Sequence, residues 1–303
     1  MIYTLTISPS LDFINEVQDF NINKINRSHN SFFIPGGKGI NVSVVLKELG
    51  IDSIAMGFKA GFTGEYLIEL LTQKNINNDL IKANGLTRVN VKVIGNIETA
   101  INTDMLIINN ENINLLIAKI KKIKKDDVLI ISGNIPSSMS QDLYEILIKE
   151  VDRNVKIVVD AESKLLLNTL KYNPFLIKPN RDELGQIFNT TITTVNEAMY
   201  YAEKLQELGA RNVIVSLDKD GAILVDVNKE HYILRNIEGK VVSSVGAGDS
   251  LIAGFVYGIQ NDLSYKDSFM MGVACANTTA FSASIADKSS IYKNLLLLKE
   301  INN

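Results

Sequence analysis

The feature that most constrains the fold of this 303-residue chain is the alternation of short apolar runs with longer amphipathic stretches. The runs at residues 128–132 and 157–159 are apolar at successive positions, so both faces of these strands need to be buried. This rhythm predicts a doubly wound α/β fold with a mostly parallel sheet between two layers of helices. Strands are expected at residues 3–7, 53–58, 128–132, 156–160, 175–178 and 213–217, and helices at 40–49, 65–71, 112–123, 141–150 and 195–208.

Two segments do not follow this rhythm. Residues 13–35 and 88–108 alternate polar and apolar side chains, which is typical of a sheet with one solvated face. We therefore expect a small β-sheet lid over the carboxyl edge of the main sheet. The organisation predicted is a single α/β domain over residues 1–303, with the lid inserted from about 13–35 and 88–108.

Charge and composition exclude several classes of function. A net charge of -3 gives no indication of a nucleic-acid or membrane-surface partner. The longest apolar run, residues 251–259, is shorter than the roughly 20 residues that cross a bilayer. The single cysteine, Cys275, rules out an internal disulfide and fits a reducing compartment. With no signal-peptide pattern at the N-terminus, a cytoplasmic protein is expected.

The glycine-rich segment at residues 243–250 is the strongest local motif. Gly246 and Gly248 allow a tight turn whose amides converge at the start of the apolar helix that follows, an arrangement that binds anions. Asp249 falls in the first turn of that helix, where a carboxylate could accept a proton from an attacking hydroxyl. Local physics alone favours a plain helix start in which Asp249 is only a stabilising charge.

A second glycine-rich segment, residues 35–41, precedes another amphipathic helix. Lys38 could contact a phosphate and Asn41 a sugar hydroxyl, and the glycines let a ligand approach the backbone. The spacing is not that of a P-loop. The residues alone do not separate this interpretation from an ordinary loop-to-helix turn.

Four isolated residues are weaker candidates. Asp12 follows the first strand, where α/β active sites gather, although it could be a turn residue. Arg88 could bind a phosphate with its fork of N–H groups or simply be an exposed strand residue. Asn180 and Glu183 share a helical face and could hold a hydrated Mg²⁺ through water, although a helix cap is the simpler account.

Together these motifs resemble the ribokinase-like (PfkB) carbohydrate kinases, in particular the branch that acts on phosphorylated hexoses. The resemblance runs over nearly the whole chain and in the family's order. Its motifs occupy residues 4–12, 36–42, 87–92, 178–183 and 245–250. Five ordered motifs are far more specific than any one of them.

The resemblance implies a role for each matching residue. Asp249 would be the catalytic base, above an anion hole formed by Gly246, Ala247 and Gly248. The sugar phosphate would be bound by Asp12, Gly37, Lys38, Asn41, Arg88 and Asn90, with Lys38 and Arg88 on its existing phosphate. ATP would contact Lys178, Asn180, Ser216, Asp218, Gly221, Gly248 and Asn277. Mg²⁺ would reach Asn180 and Glu183 through water.

The resemblance further implies an acceptor and an assembly. We expect fructose 1-phosphate to be converted to fructose 1,6-bisphosphate, with tagatose 6-phosphate and fructose 6-phosphate as alternative acceptors. A nucleoside or ribose kinase is disfavoured by Lys38 and Arg88, because a neutral acceptor needs no phosphate clamp. A catalytically silent sugar-phosphate sensor is disfavoured by the intact Asp249. A homodimer joined through the lid sheets is also expected.

Overall fold

The computed structural model describes residues 1–96, 98–282 and 285–302, which contain fifteen β-strands and ten α-helices. The strands are β1 (Ile2–Thr6), β2 (Ser10–Val17), β3 (Ser28–Gly36), β4 (Ser53–Lys59), β5 (Asn77–Lys82), β6 (Asn84–Gly85), β7 (Arg88–Ile94), β8 (Thr99–Ile101), β9 (Leu106–Ile107), β10 (Val128–Ser132), β11 (Lys156–Asp160), β12 (Leu176–Ile177), β13 (Asn212–Ser216), β14 (Ala222–Val225) and β15 (His231–Leu234). The helices are α1 (Lys38–Glu48), α2 (Gly61–Gln73), α3 (Asn110–Ile120), α4 (Leu143–Glu150), α5 (Ser163–Thr169), α6 (Arg181–Phe188), α7 (Val195–Glu207), α8 (Ala247–Gln260), α9 (Tyr265–Ala280) and α10 (Lys288–Ile301).

Nine strands form the central sheet in the order β15-β14-β13-β12-β11-β10-β1-β4-β5. The seven strands from β13 to β5 pair in parallel, and β14 and β15 add an antiparallel edge. The strand order reverses between β1 and β10, so the chain leaves these neighbours in opposite directions. In sheets of this kind ligands bind beyond the carboxyl ends of the strands at that reversal.

Each face of the central sheet is covered by its own apolar core. On β10, Leu129 and Ile131 pack into the core on one face, whereas Val128 and Ile130 pack into the core on the other. Uniformly apolar strands are therefore buried on both sides, as the sequence pattern predicts. The predicted α/β class with a mostly parallel, helix-flanked sheet is confirmed.

The small second sheet expected with this fold is also present, in the order β3-β2-β7-β8. Its two faces differ. Leu11 and Val89 point toward α1 and α2, where Leu11 joins a small core with Ile40 and Leu67. Alternate positions carry Asp12 opposite Asn90 and therefore place polar side chains on the other face.

The segment boundaries of this sheet differ from those expected. Strand β2 begins at Ser10, and residues 106–107 leave the sheet to pair with Asn84–Gly85. Residue 97 of the expected segment lies outside the described residues. The division into one domain with an inserted lid stays a prediction. No helix in the described parts of the chain is long and apolar enough to cross a membrane.

Candidate active site

Two helices begin at the carboxyl edge of the central sheet and pack against each other there. Helix α1 starts after the strand–turn of Gly36 and Gly37, and α8 starts after Gly246. Gly37 and Gly246 have φ values of 115° and 81°, a region that favours glycine. The free amides of both helix starts, with their positive dipole ends, therefore meet at one place.

Glycine at position 248 leaves room for a buried lysine. A Cβ atom built there would lie 2.9 Å from Nζ of Lys178, so any larger residue would push this ammonium away. Lys178 follows β12 and is 5% exposed. The first turn of α8 thus combines backbone amides and a cation in a small volume suited to an anion.

Asp249 is buried in the first turn of α8, and Asn41 of α1 donates a 2.8 Å hydrogen bond from Nδ2 to its Oδ2. Burial, reinforced by the nearby charge of Asp160, raises the pKa of Asp249 to about 6. A carboxylate with this pKa is ionised at neutral pH and is still basic enough to take a proton.

Asp160, at the end of β11, is the second buried carboxylate of this edge. Its Oδ2 lies 3.1 Å from Nζ of Lys38, and its Oδ1 lies 3.3 Å from Nζ of Lys178. Burial alone would raise the pKa of Asp160, but the two ammonium groups outweigh it and hold the pKa below its usual value. Burial would likewise lower the pKa of Lys38, yet Asp160 and Asp249 raise it.

A further polar cluster lies on the inner face of the second sheet, around Asp12. Oδ1 of Asp12 accepts hydrogen bonds from Oγ of Ser10 at 2.8 Å and from Nδ2 of Asn90 at 2.9 Å. Oδ2 lies 2.6 Å from Nζ of Lys92. Gly36 faces the same carboxylate, and a Cβ there would come within 2.5 Å of Oδ1. Asp12 is therefore held on three sides.

Arg88 stands beside this cluster, at the start of β7. Its Nε donates to the carbonyl of Ser8 at 3.1 Å, and burial lowers the pKa of its guanidinium. Within the described part of the chain, the terminal nitrogens make one hydrogen bond, a long one of 3.5 Å from Nη1 to Oδ1 of Asn90. They leave donors available to an anion.

Asn180 and Glu183 form a reciprocal capping box at the start of α6. Oδ1 of Asn180 accepts from the amide of Glu183, and Oε2 of Glu183 accepts from the amide of Asn180, both at 2.8 Å. Oε1 of Glu183 accepts no hydrogen bond from the described residues, which fits a contact to a hydrated cation through water. No group of three or more His, Cys, Asp and Glu side chains in the described ranges could bind a metal directly.

Several of the residues expected at the nucleotide, namely Asp218, Gly221 and Asn277, lie close together through hydrogen bonds that include Asn236. Nδ2 of Asn236 donates to the carbonyl of Asp218 at 2.6 Å, and Nδ2 of Asn277 donates to Oδ1 of Asn236 at 2.9 Å. Asn277 is buried and also accepts from the amide of Ile237. At Gly221 a Cβ would come within 2.0 Å of the carbonyl of Leu234, so the turn requires glycine. The amide of Ser216 bonds to the carbonyl of Pro179 at 3.2 Å and joins this loop to the Asn180 segment.

Two buried hydroxyls at the carboxyl edge have no hydrogen-bond partner among the described residues: Oγ of Ser8, after β1, and Oγ of Ser132, at the end of β10. Buried polar atoms are normally satisfied, by protein, water or ligand. Both hydroxyls lie where the strand order reverses, at the same edge of the sheet as Asp160 and Asp249.

The fold brings most of the expected residues to one edge in two groups. Lys38, Asn41 and the residues from Gly246 to Asp249 lie together near Lys178, and Asp12, Arg88 and Asn90 form the other group. The sequence did not single out Asp160, Lys92 or Asn236 as site residues. Alternation along β7 could have identified Lys92, since it shares a face with Arg88 and Asn90. The position of Asp160 at the end of a predicted parallel strand could have identified it. Nothing local identifies Asn236.

A doubly wound sheet with a buried carboxylate beside converging helix amides is suited to phosphoryl transfer, and the family match identifies a carbohydrate kinase. Residues 6–290 match the family described as "pfkB family carbohydrate kinase", and the chain belongs to this family. It is 40% identical to a 1-phosphofructokinase of Bacillus subtilis, with 97% of both chains covered. It is 32% identical to a D-tagatose-1-phosphate kinase of Bacillus licheniformis, with 96% of both covered. Phosphofructokinase-2 from Escherichia coli, solved in complex with fructose-6-phosphate, superposes with a TM-score of 0.92 at 27% identity, covering 98% of this chain and 99% of that one.

Proposed function

We propose that this protein transfers the γ-phosphoryl group of ATP to fructose 1-phosphate and produces fructose 1,6-bisphosphate and ADP. The observation that carries the proposal is the buried carboxylate of Asp249 in the first turn of α8, with its pKa raised to about 6 beside the amides of Gly246 and Gly248. The choice of acceptor is supported by the 1-phosphofructokinase relative.

In the proposed step, Asp249 accepts the proton of the acceptor hydroxyl as its oxygen forms a bond to the γ-phosphorus. The bond from that phosphorus to the bridging oxygen breaks, and ADP leaves with the electron pair. Amides of residues 246–248 would stabilise the charge on the transferred group. Asn41, which donates to Oδ2, would leave Oδ1 of Asp249 to face the hydroxyl.

The resemblance implies that Lys38 and Arg88 both bind the acceptor's own phosphate. We propose instead that they bind different phosphates, because their contacts differ. Lys38 is bonded to Asp160 and is close enough to Asp249 for that charge to raise its pKa, so we assign it, with Lys178, to the transferred phosphoryl group. Arg88 is fixed beside Asn90 and Ser8, so we assign it to the acceptor's own phosphate. Lys38→Met should lower kcat at least tenfold with little change in the acceptor KM, and Arg88→Ala should raise that KM about tenfold. If each variant changed kcat and the acceptor KM equally, the assignment of the two cations to different phosphates would be contradicted.

The nucleotide would lie along the loop of Ser216, Asp218 and Gly221 and the side of Asn277. Mg²⁺ would neutralise phosphate charge and orient the γ-phosphate when bound. Asn180 and Glu183 would hold its water shell, since Oε1 of Glu183 has no hydrogen-bond partner among the described residues. Asn277 would act through the 236–237 segment, because its own amide group is occupied by protein contacts.

An ADP-release assay with Mg-ATP tests the acceptor. We expect the highest kcat/KM with fructose 1-phosphate, and lower values with tagatose 1-phosphate, tagatose 6-phosphate, fructose 6-phosphate, fructose and ribose. Preference for another phosphorylated hexose would replace the acceptor and keep the mechanism. Turnover of unphosphorylated sugar alone would contradict the role of Arg88. Stabilisation by a sugar phosphate without turnover would favour a sensor.

We also propose a cytoplasmic homodimer joined through the second sheet. Phe32 on the edge strand β3 is 38% exposed, and Ile101 on the opposite edge strand is 59% exposed, so both edges offer apolar surface. Light scattering of the wild type should give twice the chain mass. A Phe32→Asp variant that remains dimeric would contradict this interface.

A further inference from the structure

Lys92 is a nearly buried cation that the proposed mechanism does not use. It lies on β7, two residues after Asn90, and its side chain is 13% exposed. Its ammonium has three donors. Among the described residues only Oδ2 of Asp12, at 2.6 Å, receives one of them. Withdrawing an ammonium group from water costs free energy. Its pairing with a single carboxylate therefore indicates that the position of the Asp12 carboxylate matters to the site.

The hydrogen bonds around Asp12 determine what its carboxylate can still accept. A carboxylate offers about four lone-pair directions, two on each oxygen. Ser10 and Asn90 occupy both directions of Oδ1, and Lys92 occupies one of Oδ2. The described residues leave one direction of Oδ2 open, which is enough for a single hydroxyl.

From this arrangement we propose that Lys92 is a positioning residue of the acceptor site. Its ammonium fixes the Asp12 carboxylate so that one Oδ2 lone pair accepts a single hydroxyl of the sugar phosphate. The inference rests on the proposed function, because it takes Asp12 as a sugar ligand. Without Lys92, Oδ2 has two open directions, and the carboxylate can turn away or bind water in place of the hydroxyl.

Acceptor affinity of Lys92→Met tests the proposal. We expect the KM for fructose 1-phosphate to rise about tenfold, the loss typical of a hydrogen bond to a charged group. The KM for ATP should stay unchanged and kcat should remain within about threefold. Lys92→Arg should restore most of the affinity, because a guanidinium can donate to the same oxygen. Lys119→Met is the matched control, since it removes another lysine–aspartate pair, with Asp79, away from the site.

The Asp12→Asn background separates positioning from direct contact. If Lys92 acts through Asp12, Lys92→Met adds no further change in KM once Asp12 is Asn. A tenfold change that persists in this background would overturn the proposal and assign Lys92 to the acceptor itself. An unchanged KM in the single variant would also overturn it. Should Lys92→Met not fold, Lys92→Gln takes its place in the same cycle.

Calorimetric Kd values for fructose 1-phosphate keep the two proposals distinguishable. A wild type that binds the sugar phosphate without turnover contradicts the kinase activity, and the Lys92 variants are then compared by Kd. A wild type that turns over fructose 1-phosphate, with Lys92 variants that match it, contradicts only the role of Lys92. Absence of both binding and turnover would overturn both.

Discussion

The end of β11 and the first turn of α8 each bury one carboxylate at the same edge of the central sheet, but their surroundings give the two groups opposite properties. Asp160 is paired with two lysines, and its pKa is lowered. Asp249 receives one neutral amide donor, and its pKa is raised to about 6. Both are buried, so the partners decide which one stays a permanent charge and which one can exchange a proton.

The largest effect should come from removing the group that can exchange a proton. Asp249→Asn keeps the shape of the side chain and its ability to accept from Asn41, but it has no basic oxygen. We expect kcat to fall about 10³-fold in the ADP-release assay, within the range typical of a lost general base. The matched control, Asp52→Asn, changes an exposed carboxylate and should retain full activity. A loss below tenfold in Asp249→Asn would contradict its role as the base.

Asp160→Asn should instead destabilise the fold. It leaves the ammonium groups of Lys38 and Lys178 without their common partner, and breaking a buried pair in this way costs about 3 kcal/mol. We expect urea unfolding at pH 7.5 to show a decrease in the free energy of unfolding of this order. Because the pKa of Asp160 is lowered in the fold, its stabilisation is present above the unfolded value of 3.8 and is lost as the pH falls below it. An unchanged unfolding free energy would show that the two lysines find other partners.

Asp249→Asn should change stability in the opposite direction. A pKa raised from 3.8 to about 6 means that ionised Asp249 destabilises the fold above pH 6, by about 2 kcal/mol. The variant should therefore be more stable than the wild type at pH 8. The gain should shrink by roughly half at pH 5, where the wild-type carboxyl is protonated in the fold. A variant less stable than the wild type at pH 8 would contradict the conclusion that burial of ionised Asp249 destabilises the fold.

Features that depend on neighbouring residues could be predicted from the sequence. Contacts between residues far apart in the chain could not. The strand at residues 128–132 was predictable because residues 128–131 are all apolar, which matches the burial of this strand on both faces. Strand β5, Asn77–Lys82, was missed because it is a polar edge strand with mostly exposed or half-buried side chains. The turn before Asp249 could be predicted from its glycines, and so could the place of Asp249 at the start of a helix. The role of Asp160 could not, since its partner Lys38 is 122 residues away. Chain folding, not local pattern, brings this pair together.

The most specific prediction joins both carboxylates in one pH profile. Because Asp249 has to be ionised to accept a proton, kcat/KM should fall about tenfold per pH unit below a midpoint of about pH 6. The charge of Asp160 contributes to that raised pKa, and Asp160 also engages the two lysines that would lower it. Asp160→Asn should therefore move the midpoint to lower pH in its residual activity. A sugar phosphate also ionises near pH 6, but this titration is the same for both enzymes, so only the shift between them reports on Asp249. Identical midpoints in wild type and Asp160→Asn would mean that the loss of activity at low pH reports ionisation of the substrate. They would contradict an electrostatic influence of Asp160 on Asp249.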